Sequence, residues 1–340
     1  MSASDGSSVA IDFRLATFNL ESLDDGPDAP CFEARAAVLR PQLLRLEADI
    51  LCLQEIHGQA EPGGGPRRLR ALDRLLAGTP YADFHRVATT GRDGTGPIDI
   101  HNLVTLSRFP VVTSVQIHHQ LVPPPLHRIA TAEPLPGTAA PITWDRPLLH
   151  VEVALDAGRR LHVVNLHLRA PLAAFLPGQK EGAFVWKTAG GWAEGFFLAA
   201  VKRAGQALEA RLLLERLFDA DPAALVAVCG DLNADLREMP TRILCADPSD
   251  TGNPALAGRA LAPVEGPAGP QDRYSLVHAG RRSMLDHLLV SRGLAQFCRH
   301  AAVHNEALRD ETVSDAETAG SFHAPVVARF ILPGPQLSES

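Results

Sequence analysis

Short apolar runs of β type recur along the chain, at Phe13–Phe18, Ile50–Leu53, Leu103–Leu106, Val111–Ile117, Leu148–Val153, Leu161–Leu168, Leu225–Cys229, Leu285–Val290 and Val326–Ile331. Two segments carry helical spacing instead. In the first, Phe32, Ala36, Leu39, Leu43 and Leu46 follow the 3.6-residue period, and Pro41 is expected to kink or restart the helix. The second runs roughly from Glu194 to Phe218 and sets Phe197, Val201, Leu208 and Leu212 on one stripe. Many strands and few helices, without strict alternation, predict an α+β layered architecture rather than a doubly wound parallel sheet. Gly58–Pro66, Pro123–Pro141 and Ala170–Ala193 read as loops, each flanked by strand-type runs. The expectation is therefore one domain over residues 11–332, with flexible termini at 1–10 and 333–340.

The chemically informative residues stand where these runs end. Asn19 follows Phe18, and Gln54 and Glu55 follow Leu53. Asn165 and His167 close the run from Leu161, while Asp231 and Asn233 follow Cys229-Gly230. Asp286 and His287 open Leu288–Val290, and His323 precedes Pro325-Val326. Residues at i and i+2 share a strand face, so Asn19/Glu21, Asn165/His167 and Asp231/Asn233 each project into one cleft if the extended geometry persists. Singly, each has an ordinary explanation, as a turn residue, a surface carboxylate or a structural histidine. Together they supply what metal-assisted phosphoryl chemistry needs: a carboxylate for a hard cation, a base, amide donors and imidazoles.

In order along the chain, Phe18-Asn19, Leu53-Gln54-Glu55, Leu106-Ser107-Arg108-Phe109-Pro110, Asn165-Leu166-His167-Leu168, Gly230-Asp231-Leu232-Asn233, Leu285-Asp286-His287 and Ser321-Phe322-His323-Ala324-Pro325 resemble the motifs of the endonuclease/exonuclease/phosphatase superfamily. The resemblance implies a four-layer α/β/β/α sandwich with two packed, mostly antiparallel sheets and a site at one end of them. It implies that Glu55 binds Mg²⁺ or Mn²⁺ with Asn19 beside it, and that Asp231 orients or deprotonates the attacking water. Asn233, Asn165 and His167 then donate to phosphoryl oxygens, and His323, held by Asp286, stabilises the pentacovalent state. One position departs from the pattern. Where the family carries Asp before the last histidine, this chain has Phe322, and Glu21, or else Asp315, is the expected substitute carboxylate.

Composition narrows the substrate little. The 340 residues include 32 basic and 39 acidic ones, a net charge of −7, which disfavours a protein that coats nucleic acid by bulk electrostatics. Five cysteines without a CxxC pair, no secretory signal and no long apolar run suggest a cytoplasmic protein that is not inserted in a membrane. Arg67, Arg68, Arg70 and Arg74 would serve a nuclease, or else form the solvated face of a helix carrying Leu69, Leu72, Leu75 and Leu76. Asn102, Arg108, Trp186 and Lys187 are the substrate-side candidates, the last two on a loop that would act as a platform or lid. The expectation is a metal-dependent phosphodiesterase of nuclease type. A phosphatase or phospholipase C-like enzyme is the alternative, and an inactive binding protein is disfavoured by the retained polar set.

Overall fold

The structure, a computed structural model, describes residues 10–26, 31–61, 63–144, 146–264, 273–313 and 319–334. In chain order it begins with β1 (Ile11–Leu23), α1 (Phe32–Leu46), β2 (Ile50–Ile56), α2 (Arg70–Leu76), β3 (His85–Ala88), β4 (Asn102–Ser107) and β5 (Val111–Ile117). A short pair, β6 (Leu126–His127) and β7 (Ala140–Pro141), precedes β8 (Leu148–Ala154), β9 (Arg160–His167), α3 (Ala189–Ala220), β10 (Leu225–Asp231) and α4 (Met239–Cys245). The last part holds β11 (Leu261–Pro263), the pair β12 (Leu276–His278) and β13 (Arg281–Ser283), β14 (Asp286–Ser291), β15 (Cys298–Val303) and β16 (Val326–Leu332).

Two six-stranded sheets result, ordered β15-β16-β1-β2-β4-β3 and β11-β14-β10-β9-β8-β5. Each has a single parallel pair at its centre, β1/β2 and β9/β10, and is antiparallel elsewhere. A parallel pair needs a crossover, which α1 supplies in the first sheet and α3 in the second. Phe13, Leu15, Ile50 and Cys52 of one sheet pack on Val151, Val163, Ala227 and Leu288 of the other. The opposite faces, carrying Phe18, Leu51 and Leu53 on one sheet and Val164, Leu166 and Val228 on the other, are covered by α1 with α2 and by α3 with α4. Burial on both faces is why these strands read as continuous apolar runs rather than alternating ones. The α+β four-layer sandwich is the architecture expected, and all nine apolar runs fall in strands.

Two helix expectations are corrected. Pro41 neither kinks nor restarts α1, which runs unbroken through it. The ring sits on the solvent side, and burial of Phe32, Ala36, Leu39, Leu43 and Leu46 offsets the lost backbone bond. In α3 the face against the sheet carries Ala207, Ala210, Leu214 and Phe218, whereas Phe197 and Leu208 of the expected stripe are exposed. Those two, with Val201, line an open apolar groove against Pro123, Trp144 and Ile243. Among the described residues no helix is long and apolar enough to cross a membrane. Asp315 and most of the two terminal stretches lie outside the described residues.

Candidate active site

At one end of the sandwich the pleat breaks in both central strands of the first sheet. The β1/β2 register shifts between Asn19 and Leu23, and the β2/β4 register between Leu53 and Ile56. Glu21, Ser22 and Glu55 take left-handed backbone conformations there (φ +48°, +54° and +59°). Such bulges re-aim side chains, and here they turn the Glu55 carboxylate into the cleft. Ser22 fixes it, donating its N–H and hydroxyl to Oε2 at 3.0 and 3.2 Å. Behind Ser22, the buried Arg35 of α1 donates to the carbonyls of Leu20, Glu21 and Ser22. Arg35→Met should therefore unfold the protein about 2 kcal/mol more easily in urea. Unchanged stability would mean that the turn holds without the guanidinium.

The second sheet brings three strand ends to one level, with Asp231 registered against both His167 and Asp286. Asp231 is 1% exposed and collects donors on both oxygens. The Asn233 N–H reaches Oδ1 at 2.8 Å, and Asn19 Nδ2 and Asn233 Nδ2 reach Oδ2 at 3.1 and 3.0 Å. His167 Nε2 stands 3.3 Å from Asp231 and 3.5 Å from Glu55. The second Asn19 amide hydrogen goes to Glu55 Oε1 at 3.2 Å, so Asn19 ties the two carboxylates together across the sheets. His323 places Nδ1 2.8 Å from Asp286 and Nε2 4.0 Å from Asp231.

The electrostatics follow from this crowding. Burial drives the His323 imidazole toward its neutral form, but Asp286 and then Asp231 outweigh it and raise the pKa to about 10. Burial likewise raises Asp231, and the His323 charge with hydrogen bonds from His167 and Asn233 overcomes this, holding the carboxyl well below its usual range. Glu55 is brought down to about 2 against its burial by the facing imidazoles of His167, His101 and His323. Burial and then the Arg146 cation push His101 down to about 3.

A model of the endonuclease/exonuclease/phosphatase family matches residues 16–315. The chain belongs to that family. No match was found among curated proteins. Among solved structures, it resembles an endonuclease/exonuclease/phosphatase family protein from Bacteroides thetaiotaomicron (15% identity, TM-score 0.56, 96% of this chain and 97% of that one). A truncated TDP2 from Caenorhabditis elegans is similar at 15% identity and TM-score 0.55, covering 94% of this chain and 97% of that one. At such identity the likeness is one of fold. Members of this family are mostly hydrolases of phosphoesters and are generally dependent on a divalent metal.

Of the candidate residues, the structure brings together Asn19, Glu21, Glu55, His167, Asp231, Asn233, Asp286 and His323, and it separates others. Asn165 shares the His167 face but lies one pleat deeper, fully buried, where its amide donates to the Leu53 and Val104 carbonyls and accepts from Gln54. It staples the two sheets and has no donor for a phosphoryl oxygen. Asn102 is also fully buried, donating to Ile56 and Ile98 carbonyls at 2.8 Å each, so it fixes the loop before β4 instead of binding substrate. Arg108 follows the far end of β4 and pairs with Asp49 at 2.6 Å, about a strand length from Glu55.

Trp186 packs with Ile142, Ala174, Leu176 and Leu198 beside the Lys180 ammonium, and Lys187 pairs with Glu133; these contacts tie the arm that follows β9 to the segment before β8 and to α3. Arg70 and Arg74 are both held by Asp25, at 3.0 and 2.9 Å, which is the solvated-helix reading of that basic run. Glu21 reaches the site by a route the strand periodicity did not foresee, accepting the Phe322 N–H at 2.6 Å and so anchoring the turn before His323. The sequence reading missed His101, whose Nδ1 is 4.0 Å from Glu55, and Arg146, which donates to the Leu168 carbonyl at the rim. His101 adjoins Asn102, one of the substrate-side candidates, and that adjacency was the available signal.

Proposed function

We propose that this chain is a divalent-metal-dependent phosphodiesterase that works by in-line attack of a water molecule. The observation that carries the reading is the facing arrangement of Glu55 and the Asp231–His323–Asp286 set, joined by Asn19. The donor set fits a divalent cation: a nearly dry carboxylate with its neighbours already oriented, flanked by imidazoles. Glu55 would hold Mg²⁺ or Mn²⁺, which supplies Lewis-acid charge to the phosphoryl oxygens.

The protein's own groups do the rest. Asp231, ionised and held far below its usual range, is a weak base, so it orients the attacking water and accepts its proton only as the O–P bond forms, when that proton becomes strongly acidic. His323 stays protonated at neutral pH, and Asp286 fixes its ring. Its Nε2–H faces the reacting centre, where it neutralises charge on the phosphoryl group or gives its proton to the leaving oxygen. Arg146 adds a cation at the rim. Asn233 holds Asp231, its two amide hydrogens taken by Asp231 Oδ2 and the Leu168 carbonyl.

Hydrolysis of bis-p-nitrophenyl phosphate should stop in EDTA and return with Mg²⁺ or Mn²⁺; full activity in chelator would overturn the mechanism. A nuclease is one substrate reading. A phosphodiester with an apolar tail, as in a phospholipid, is favoured by one observation. The arm that starts at Arg169, two residues after His167, exposes Phe184 (91%), Phe175 (71%) and a stacked Trp192–Phe196 pair. Comparing single- and double-stranded DNA, RNA and phospholipid vesicles as substrates decides between them.

A further inference from the structure

Three imidazoles crowd the rim of the Glu55 carboxylate. The rings of His57 and His101 meet edge to face at 6.1 Å, and those of His101 and His167 at 5.6 Å. His101 and Glu55 both occupy left-handed backbone, at φ +61° and +59°. A residue with a side chain is destabilised there by roughly 1–2 kcal/mol, and such strain persists only where the surroundings impose it. Asn102 imposes it on His101: its amide grips the Ile56 carbonyl and both backbone groups of Ile98, and so fixes the turn that aims the imidazole at Glu55.

One imidazole is also incompletely satisfied. Nδ1 of His101, the nitrogen that faces Glu55, is shielded from solvent without a hydrogen-bond partner. Leaving a buried polar nitrogen unpaired is unfavourable unless something outside the chain completes it. One ligand atom each from Glu55, His101 and His167 lie within 4.8 Å of one another. Neighbouring ligands of a six-coordinate ion, at metal–ligand lengths of about 2.1 Å, stand roughly 3 Å apart. His167 and His101 are already 3.5 and 4.0 Å from Glu55, so small side-chain movements close the set.

We propose that Glu55, His101 and His167 hold the ion together, and that this two-imidazole, one-carboxylate set takes Mn²⁺ or Co²⁺ in preference to Mg²⁺. The proposal rests on the metal-dependent reading given above. Its chemistry is that of the donors: Mg²⁺ demands oxygen ligands and keeps its waters, whereas imidazole nitrogen favours first-row transition ions, with affinity rising from Mn²⁺ through Fe²⁺ to Co²⁺. His167, assigned by its motif to the phosphoryl group, becomes a ligand through Nε2, which exchanges its contact with Asp231 for the ion while Nδ1 carries the ring proton. Charge stabilisation then falls to His323 and Arg146.

The test uses the full chain, stripped by chelation and desalted. Titration calorimetry with Mn²⁺ and with Mg²⁺ should give wild-type Mn²⁺ binding at least about tenfold tighter. Pulsed electron paramagnetic resonance of the Mn²⁺ protein should show coupling to imidazole nitrogen. His101→Asn removes the ring while keeping a residue tolerant of left-handed backbone, and His101→Gly relieves the strain altogether. Outer-sphere partners of a metal are worth roughly 10–100-fold in affinity, so loss of a ligand should weaken Mn²⁺ by at least that range in both variants, with Mg²⁺ affinity nearly unchanged. If Mg²⁺ and Mn²⁺ bind wild type equally and neither variant alters Mn²⁺ affinity or the nitrogen coupling, the imidazole assignment is wrong although the metal-dependent reading stands. If wild type binds no divalent ion, that earlier reading falls, and this one with it.

Discussion

Asp231→Asn should lower the turnover of bis-p-nitrophenyl phosphate by about 10³, or about 4 kcal/mol of transition-state stabilisation, with folding close to normal. The substitution is isosteric but reverses the hydrogen bonding. Asp231 only accepts, from the Asn19 amide, the Asn233 N–H and amide, and His167. An amide nitrogen placed at either oxygen would confront those donors, and the water would lose its only strongly ionised neighbour on that side. A second consequence separates chemistry from simple damage. His323 is raised to about 10 by Asp286 first and by Asp231 after it. Removing the Asp231 charge must bring it down, so in the metal-free variant the imidazole should lose its proton at lower pH than in wild type, as read by NMR titration. Near-wild-type turnover in a folded Asp231→Asn protein would show that the water-orienting residue has been misassigned. An unchanged His323 titration would show instead that the two groups do not face each other.

The sequence made the buried architecture legible because both sheets are covered on both sides, so each central strand is an unbroken apolar word such as Ile50-Leu51-Cys52-Leu53. The edge strands of the first sheet were not legible. His85–Ala88 and Cys298–Val303 are half-exposed, polar and short, and their pairing with β4 and β16 is decided by partners far away in sequence. The site was legible as a set of motifs and much less so as geometry. The two-residue strand period correctly put Asn165 and His167 on one face. It could not tell which of them sits at the mouth, because depth along a strand is a property of the partner sheet. It failed outright at Glu21, where left-handed backbone at Glu21 and Ser22 ends the pleat before the period can apply. His101 was missed for the same reason: its importance comes from a strained turn, and local sequence does not announce a positive φ on a histidine.

The two crossovers make the site a joint product of both sheets. β1 and β2 deliver Asn19, Ser22 and Glu55 from one parallel pair, and β9 and β10 deliver His167 and Asp231 from the other. Asn165 from β9, donating to carbonyls of β2 and β4, keeps the two halves in register just behind the cleft. Distances such as the 3.5 Å between His167 and Glu55 are therefore set by how the sheets pack and by no single strand.

That dependence is sharpest at Gly230. It lies in β10 immediately before Asp231, with φ +139°, directly against Leu166 of the parallel neighbour β9. A Cβ on Gly230 would stand 1.9 Å from the Leu166 carbonyl oxygen and 2.8 Å from its carbon. Both are backbone atoms of a buried central strand, so no side chain can swing aside, and the strands must separate at the level of His167 and Asp231. Gly230→Ala should accordingly destabilise the protein by at least about 4 kcal/mol, in the range reserved for backbone clash and core disruption. Gly252→Ala is the control, because Gly252 is also left-handed at φ +64° but has nothing within 4 Å of its would-be Cβ. Its cost should be only the conformational one, about 1 kcal/mol. Urea unfolding of the two variants measures the difference. If Gly230→Ala were no less stable than Gly252→Ala, β9 and β10 could not approach as closely as they do here. Any Gly230→Ala protein that folds should also lose turnover, since the clash displaces Asp231 from His167 while every catalytic side chain is still present.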